Sequence, residues 1–295
     1  MKPRFYLIDA HAFLHRAYHA LPPLSNSKGE PVGALYGFAR MLLQIFKRDK
    51  PERVAVCFDA PGPTFRHKLY PEYKATRKKT DEDLVFQLKK AREMAEAMGF
   101  VCVEISGYEA DDLMATLAQK GADDGLESVV VTGDKDALQL VGNGIRVFNP
   151  SRNLWMDAEE IEKKMGVGPK AVVDYLSLVG DSSDNVPGVP GIGSAGAAKL
   201  LNRFKTMEGI LAAARGGDKV IAPKTAKALI SSGKDIERAR ELIELKRDAP
   251  VKVRPEDCRA PAPDPARLTG MFKALEFNSL LKEILPAAAE GADCG

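Results

Sequence analysis

Short runs rich in β-branched and aromatic residues alternate with helix-like stretches through the first half of the chain. This alternation limits the fold more than any other feature. "FYLID" (5–9), "RVAVCFD" (53–59), "VCVEI" (101–105), "SVVVTGD" (128–134) and "IRVFN" (145–149) read as strands buried on both faces. Between them lie "GALYGFARMLLQIFKRD" and "EADDLMATLAQKGA", both with helical spacing of apolar residues. Another helix is predicted from Thr80, its cap, with Asp83 three residues on and Gly99 as its stop. Such alternation predicts an α/β fold with a doubly wound, mostly parallel sheet.

From about residue 158 the strand signals vanish and glycine-punctuated helical segments follow, at 158–165, 169–179, 195–204, 223–230 and 234–246. A proline-rich hinge, "CRAPAPDPARL", leads to a last amphipathic stretch, "LTGMFKALEFNSLLKEIL". We therefore expect an α/β core over 1–168 and a helical subdomain over 169–285. The small-residue end, 286–295, reads as a disordered tail or linker.

No apolar run reaches the roughly 20 residues of a bilayer span, and the start lacks a secretory core. A cytoplasmic, nucleoid-associated protein is the expectation. Net charge is only +2, so any nucleic-acid surface must come from local segregation of charge. Cys57, Cys102, Cys258 and Cys294 form no C-x-x-C pair and read as small apolar residues of a reducing compartment.

Acidic residues gather at one predicted rim. Asp9 ends the first strand, Asp59 the second and Asp134 the fourth, with Asp136 two residues on. In an open parallel sheet the carboxyl ends of the strands form the ligand-binding edge. Glu109, Asp111 and Asp112 open the helix after the third strand, and Asp181 and Asp184 in "GDSSDN" close a later helix. Glu109 and Asp111 can face one site only if Glu109 stays outside the helix, which Gly107 permits. With no histidine or cysteine cluster beside it, the set is all oxygen, which selects Mg²⁺ or Mn²⁺ over zinc. Carboxylates shared by two ions about 4 Å apart are a recurring arrangement for phosphodiester hydrolysis. His11, His15 and His19 recur every fourth residue and read as a half-exposed helix face rather than a ligand set.

The segment "TFRHKLYPEYKATRKK" (64–79) carries Arg66, Lys68, Lys74, Arg77, Lys78 and Lys79, interleaved with Phe65, Tyr70 and Tyr73. Cations neutralise phosphates while rings stack on unpaired bases, so this segment is expected to grip DNA. In "GVPGIGSAGAAKLL" (188–201), Gly188, Gly191, Ile192, Gly193, Ser194 and Lys199 surround a predicted helix N-terminus, where free N–H groups suit a phosphate.

From about residue 4 to 285 the chain resembles the 5′-nuclease (flap endonuclease-like) family, in its bacterial type found at the N-terminus of DNA polymerase I. The resemblance rests on "LIDAHAFLHRAYHAL", "GEPVGALYGFARML", "FDAPGPTFRHKLYPEYKATR", "GYEADDL", "TGDKDALQLV", "GDSSDNVPGVPGIG" and "LEFNSLLKE". It implies that Asp9, Asp59, Glu109, Asp111, Asp112, Asp134, Asp136, Asp181 and Asp184 hold two Mg²⁺ ions. It further implies a helical arch at about 62–98, on which Lys74 and Arg77 contact the scissile phosphate and Tyr73 stacks near the reacting nucleotide. Arg16 would hold the 5′ strand. The loop 188–196 resembles the helix–three-turn–helix (helix-hairpin-helix-like) element that grips duplex backbone, with K⁺ as a possible ion.

Two departures stand out. "GIGSAGA" lacks the lysine that relatives carry at Ala195, and Lys78 and Lys79 replace their prolines. The expected function is a Mg²⁺-dependent structure-specific 5′ nuclease acting on branched or nicked DNA with a 5′ end or flap, and on RNA–DNA primer junctions, in replication and repair. It would act as a monomer, free-standing or linked to a polymerase module. The contrasting reading is a non-catalytic branched-DNA-binding module of a larger polymerase.

Overall fold

The computed structural model describes residues 2–260 and 264–284. The predicted tail falls outside the described residues. Six strands form one sheet, β1 (Arg4–Asp9), β2 (Arg53–Cys57), β3 (Val101–Val103), β4 (Glu127–Val131), β5 (Ile145–Asn149) and β6 (Leu154–Met156), in the order β3-β2-β1-β4-β5-β6. β1 to β5 pair in parallel and β6 runs antiparallel on the edge. The sheet is the doubly wound one expected. β6 was not foreseen, since three residues give too short a pattern to read.

Alternate residues serve opposite layers, as the two-residue period of a strand requires. Phe5, Leu7, Ala55, Cys57 and Val130 join one core, while Tyr6, Ile8, Val54, Val56 and Val129 join the other. Helices cover both faces. α1 (Ala10–Ala20), α2 (Gly33–Asp49), α3 (Phe65–Leu69), α4 (Glu82–Ala97) and α5 (Ala110–Asp123) interleave with the strands. α2 buries Leu35, Phe38, Ala39 and Leu42 at helical spacing and stops at Lys50, whose left-handed backbone returns its N–H to the Phe46 carbonyl. α4 begins one residue later than predicted. Its N-cap is Asp81 rather than Thr80, with Glu82 and Asp83 in the first turn to complement the helix dipole.

The helical half follows as α6 (Ala158–Met165), α7 (Val172–Val179), α8 (Ser194–Phe204), α9 (Met207–Arg215), α10 (Pro223–Ser231) and α11 (Gly233–Ile243). α9 is absent from the sequence expectation, although Thr206 caps it through the Gly209 N–H at 3.1 Å. α12 (Pro265–Ala274) and α13 (Asn278–Ile284) do not stay with these helices. Leu268, Phe272, Phe277 and Leu280 return to the core layer of α1, α2 and α4. Among the described residues no helix is long and apolar enough to cross a membrane. Cys57, Cys102 and Cys258 are free thiols.

Candidate metal centre

β1 and β4 lie side by side at the point where the strand order reverses, and a crevice opens beyond their carboxyl ends. A cleft of about 540 Å³ sits there, lined by Asp9, Asp59, Glu109, Asp111 and Asp134. Asp9 caps α1 through the Ala12 N–H at 2.9 Å and accepts from the Thr132 hydroxyl at 2.8 Å. Asp59 accepts from the Ala110 N–H at 2.7 Å, which joins the end of β2 to the start of α5. Glu109 has extended backbone and Gly107 a φ of +88°, so the glutamate does stay outside the helix that Asp111 enters. Asp134 accepts from the Asp136 N–H at 2.8 Å.

A second group joins Asp136, just beyond β4, to two acids of the helical half. Asp136, Asp181 and Asp184 offer carboxylate oxygens that all lie within 4.8 Å of one another. Asp181 and Val186 exchange backbone hydrogen bonds at 2.8 Å, closing the loop that carries both aspartates. Its neck is narrow because Gly180 and Gly188 pass with bare backbone in contact; a methyl at Gly188 would overlap the Val179 carbonyl.

Burial and crowding govern the charges. Burial, with Asp59 and Asp134 nearby, pushes the Asp9 carboxyl up to about 7. Burial and carboxylate neighbours hold Asp111 and Asp136 well above the usual range, and burial also raises Asp134. Asp181 goes the other way: burial opposes its ionisation, but the Ser183 and Lys135 bonds outweigh it. Lys135 Nζ stands 2.9 Å from Asp181. Its involvement was missed, though "TGDKDAL" places it between two of the acids.

The arrangement fits hard divalent cations. Asp111 Oδ1 and Asp136 Oδ1 are buried with no hydrogen-bond partner among the described residues. Unpaired carboxylate oxygens out of water are costly unless a cation satisfies them. Every candidate ligand is oxygen, as Mg²⁺ and Mn²⁺ prefer.

The basic segment leans over this cleft. Lys74, Arg77, Lys78 and Lys79 line it. Lys74 Nζ is 2.7 Å from Glu109 Oε1, and Arg77 pairs with Asp184. Opposite them His11, His15 and His19 form one row of α1, as their spacing implies. The His11 Nδ1 accepts from the Asp59 N–H at 3.1 Å, and burial lowers its pKa, so the ring is held neutral. Arg16 faces a separate recess of about 250 Å³ that also opens onto Asp9 and Asp134. Lys68 is exposed on α3, away from these contacts.

Four assignments change. Arg66, expected on DNA, is 1% exposed and forms a two-pronged pair with Asp112 at 2.6 and 2.9 Å. It also donates to the Leu242 and Glu244 carbonyls at 2.6 and 3.3 Å. Asp112, expected as a ligand, accepts in addition from the Glu109 and Lys246 N–H groups at 3.1 and 2.9 Å, so its oxygens are committed to the protein. Tyr73, expected to stack on a nucleotide, is 4% exposed. Gly188 belongs to the closed neck, not to a phosphate cradle. Elsewhere in that loop Gly191, Gly193 and Ser194 are exposed at the start of α8, Lys199 is exposed along it, and Ile192 is buried beneath.

Comparison with known proteins agrees with this architecture. Residues 4–166 match the 5'-3' exonuclease N-terminal resolvase-like domain, and residues 167–266 match the 5'-3' exonuclease C-terminal SAM fold. A 5'-3' exonuclease of Aquifex aeolicus is 38% identical over 281 residues, covering 95% of this chain and 94% of that protein. The thermostable DNA polymerase I of Thermus thermophilus is 39% identical over 282 residues, covering 96% of this chain but 33% of the polymerase. In fold, the chain is similar to a bacteriophage T5 flap endonuclease solved as a pseudo-enzyme-product complex with DNA and metal ions, at a TM-score of 0.67 and 19% identity over 95% of this chain and 98% of that one. With both of its halves matched in order, the chain belongs to the 5'-3' exonuclease family of nucleases.

Proposed function

We propose that this nuclease is a Mg²⁺-dependent, structure-specific 5′ nuclease acting on DNA with a 5′ end or flap. The observation that carries the reading is the convergence of carboxylates from separate strand ends into one cleft also lined by Lys74, Arg77, Lys78 and Lys79, with two buried oxygens unpaired among the described residues. Asp9, Asp59, Asp111 and Asp134 would hold one divalent ion, and Asp136, Asp181 and Asp184 another, with Glu109 between the groups. When bound, such ions supply Lewis acidity and acidify a water for attack on the phosphodiester. Lys74 and Arg77 place positive charge where the scissile phosphate would lie and stabilise the charge that develops there. Lys68, Lys78, Lys79, Lys199, Arg16 and the amides of Gly191, Gly193 and Ser194 are proposed as backbone contacts, which carry no base preference; the Ile192 N–H is taken by the Val189 carbonyl at 3.0 Å. K⁺ is proposed at that loop as a secondary ion. The polymerase relative supports primer removal and repair as the setting, with or without a linked polymerase.

A 5′-labelled flap on duplex DNA tests the reading. Short labelled products are expected in Mg²⁺, none in EDTA, and recovery when Mg²⁺ is returned in excess. An uncut strand at saturating Mg²⁺ would leave a binding module only.

Proton linkage follows from the raised carboxyls. Asp9, pushed up to about 7, keeps its proton toward neutral pH until a cation displaces it, and burial and repulsion shift Asp111, Asp134 and Asp136 in the same direction. Lower pH therefore opposes ion binding. Mg²⁺ affinity is expected to fall by roughly tenfold per pH unit, per proton released, as pH drops below about 7. Calorimetry in buffers of different ionisation enthalpy reads the protons directly; a flat affinity from pH 8 to pH 6 contradicts the linkage.

A further inference from the structure

Tyr73 lies in the turn between α3 and α4, its N–H bound to the Tyr70 carbonyl at 2.9 Å. The ring is enclosed: it meets His67 edge-on with centroids 5.4 Å apart, and Lys74 Nζ sits 4.9 Å from its centre. Its hydroxyl reaches two carboxylates at once, Glu109 Oε2 at 3.0 Å and Asp184 Oδ2 at 3.0 Å. These acids come from different halves of the molecule, one at the start of α5 and the other from the loop after α7. Their other oxygens are met by Lys74 and Arg77.

We propose that Tyr73 is a positioning residue whose single O–H ties Glu109 to Asp184 and so fixes the spacing between the two halves of the metal centre. The inference rests on the reading above, in which these carboxylates hold divalent ions. A phenol suits the task. It supplies one proton to two acids that would otherwise repel, and it adds no charge that would compete with a cation. Outer hydrogen bonds of this kind typically govern metal affinity or activity by about ten- to a hundredfold. A stacking ring would instead need an open face, and this ring has none to offer.

Tyr73→Phe removes the oxygen and keeps the ring, so packing is preserved. We expect full-length Tyr73→Phe, titrated with Mn²⁺ in a calorimeter without DNA, to lose roughly ten- to a hundredfold in affinity for at least one ion. On a flap substrate kcat should fall by a similar factor while KM stays near wild type. In a Glu109→Gln background the same change should add little, because the tie is already weakened. Wild-type Mn²⁺ affinity and kcat in Tyr73→Phe would overturn the proposal. A rise in KM alone would overturn it too, and would return Tyr73 to nucleotide contact. Failure of the wild-type protein itself to bind Mn²⁺ would remove the metal reading, and this inference with it.

Discussion

Asp134→Ala is expected to lower flap cleavage by about a thousandfold or more, roughly 4 kcal/mol in the barrier, while leaving DNA binding measurable. Asp134 lies in the cleft just beyond β4, and its Oδ1 also holds the Asp136 N–H. The substitution thus removes one proposed ligand and loosens the turn that presents another. Its effect on the fold should have the opposite sign. Asp134 is half-buried among acids that raise one another's pKa, so deleting it relieves repulsion in the metal-free protein. Thermal unfolding without metal should therefore be unchanged or shifted upward. Single-turnover cleavage beside a melting curve separates the two effects; turnover within tenfold of wild type would remove Asp134 from the centre.

Asp112→Ala is expected to destabilise the fold by about 3–5 kcal/mol, because it strands a buried guanidinium. Arg66 is 1% exposed and Asp112 fully enclosed, and their pair reaches from α3 through α5 to the carbonyls of Leu242 and Glu244. Asp112 also accepts from the Lys246 N–H at 2.9 Å. The pair therefore fastens the end of α11 to the sheet layer. Arg66→Ala should cost a comparable amount by leaving the carboxylate unpaired. Urea unfolding followed by circular dichroism, in metal-free buffer, gives the measurement. If Asp112 were instead a metal ligand, its alanine variant would keep its midpoint and lose only cleavage.

The contrast between Asp111 and Asp112 marks how far the sequence could be read. Asp9, Asp59 and Asp134 were legible because strand ends in a parallel sheet share one rim, and the strands were plain from composition. Adjacent residues on a helix point in directions about 100° apart, so only one of Asp111 and Asp112 could face that rim squarely. Which one did depended on Arg66, a residue forty-odd positions earlier whose charge looked like part of a DNA-gripping run. Tyr73 misled for the same reason, since interleaved aromatics carry no mark of which way they turn. The resemblance supplied roles for these residues, while contacts in the fold decided them. β6 escaped because three residues repeat a pattern too few times to stand out.

The crossing of Gly180 and Gly188 has a mechanical meaning. The loop bearing Asp181 and Asp184 is hung from a hinge pin made of main chain alone, with no side chain to absorb a change in gap. One added carbon at either glycine would force the main chain there to shift, and with it the loop that carries both aspartates, without replacing any charged atom. Tolerance for variation in this protein should therefore be narrowest at two residues that carry no chemistry of their own.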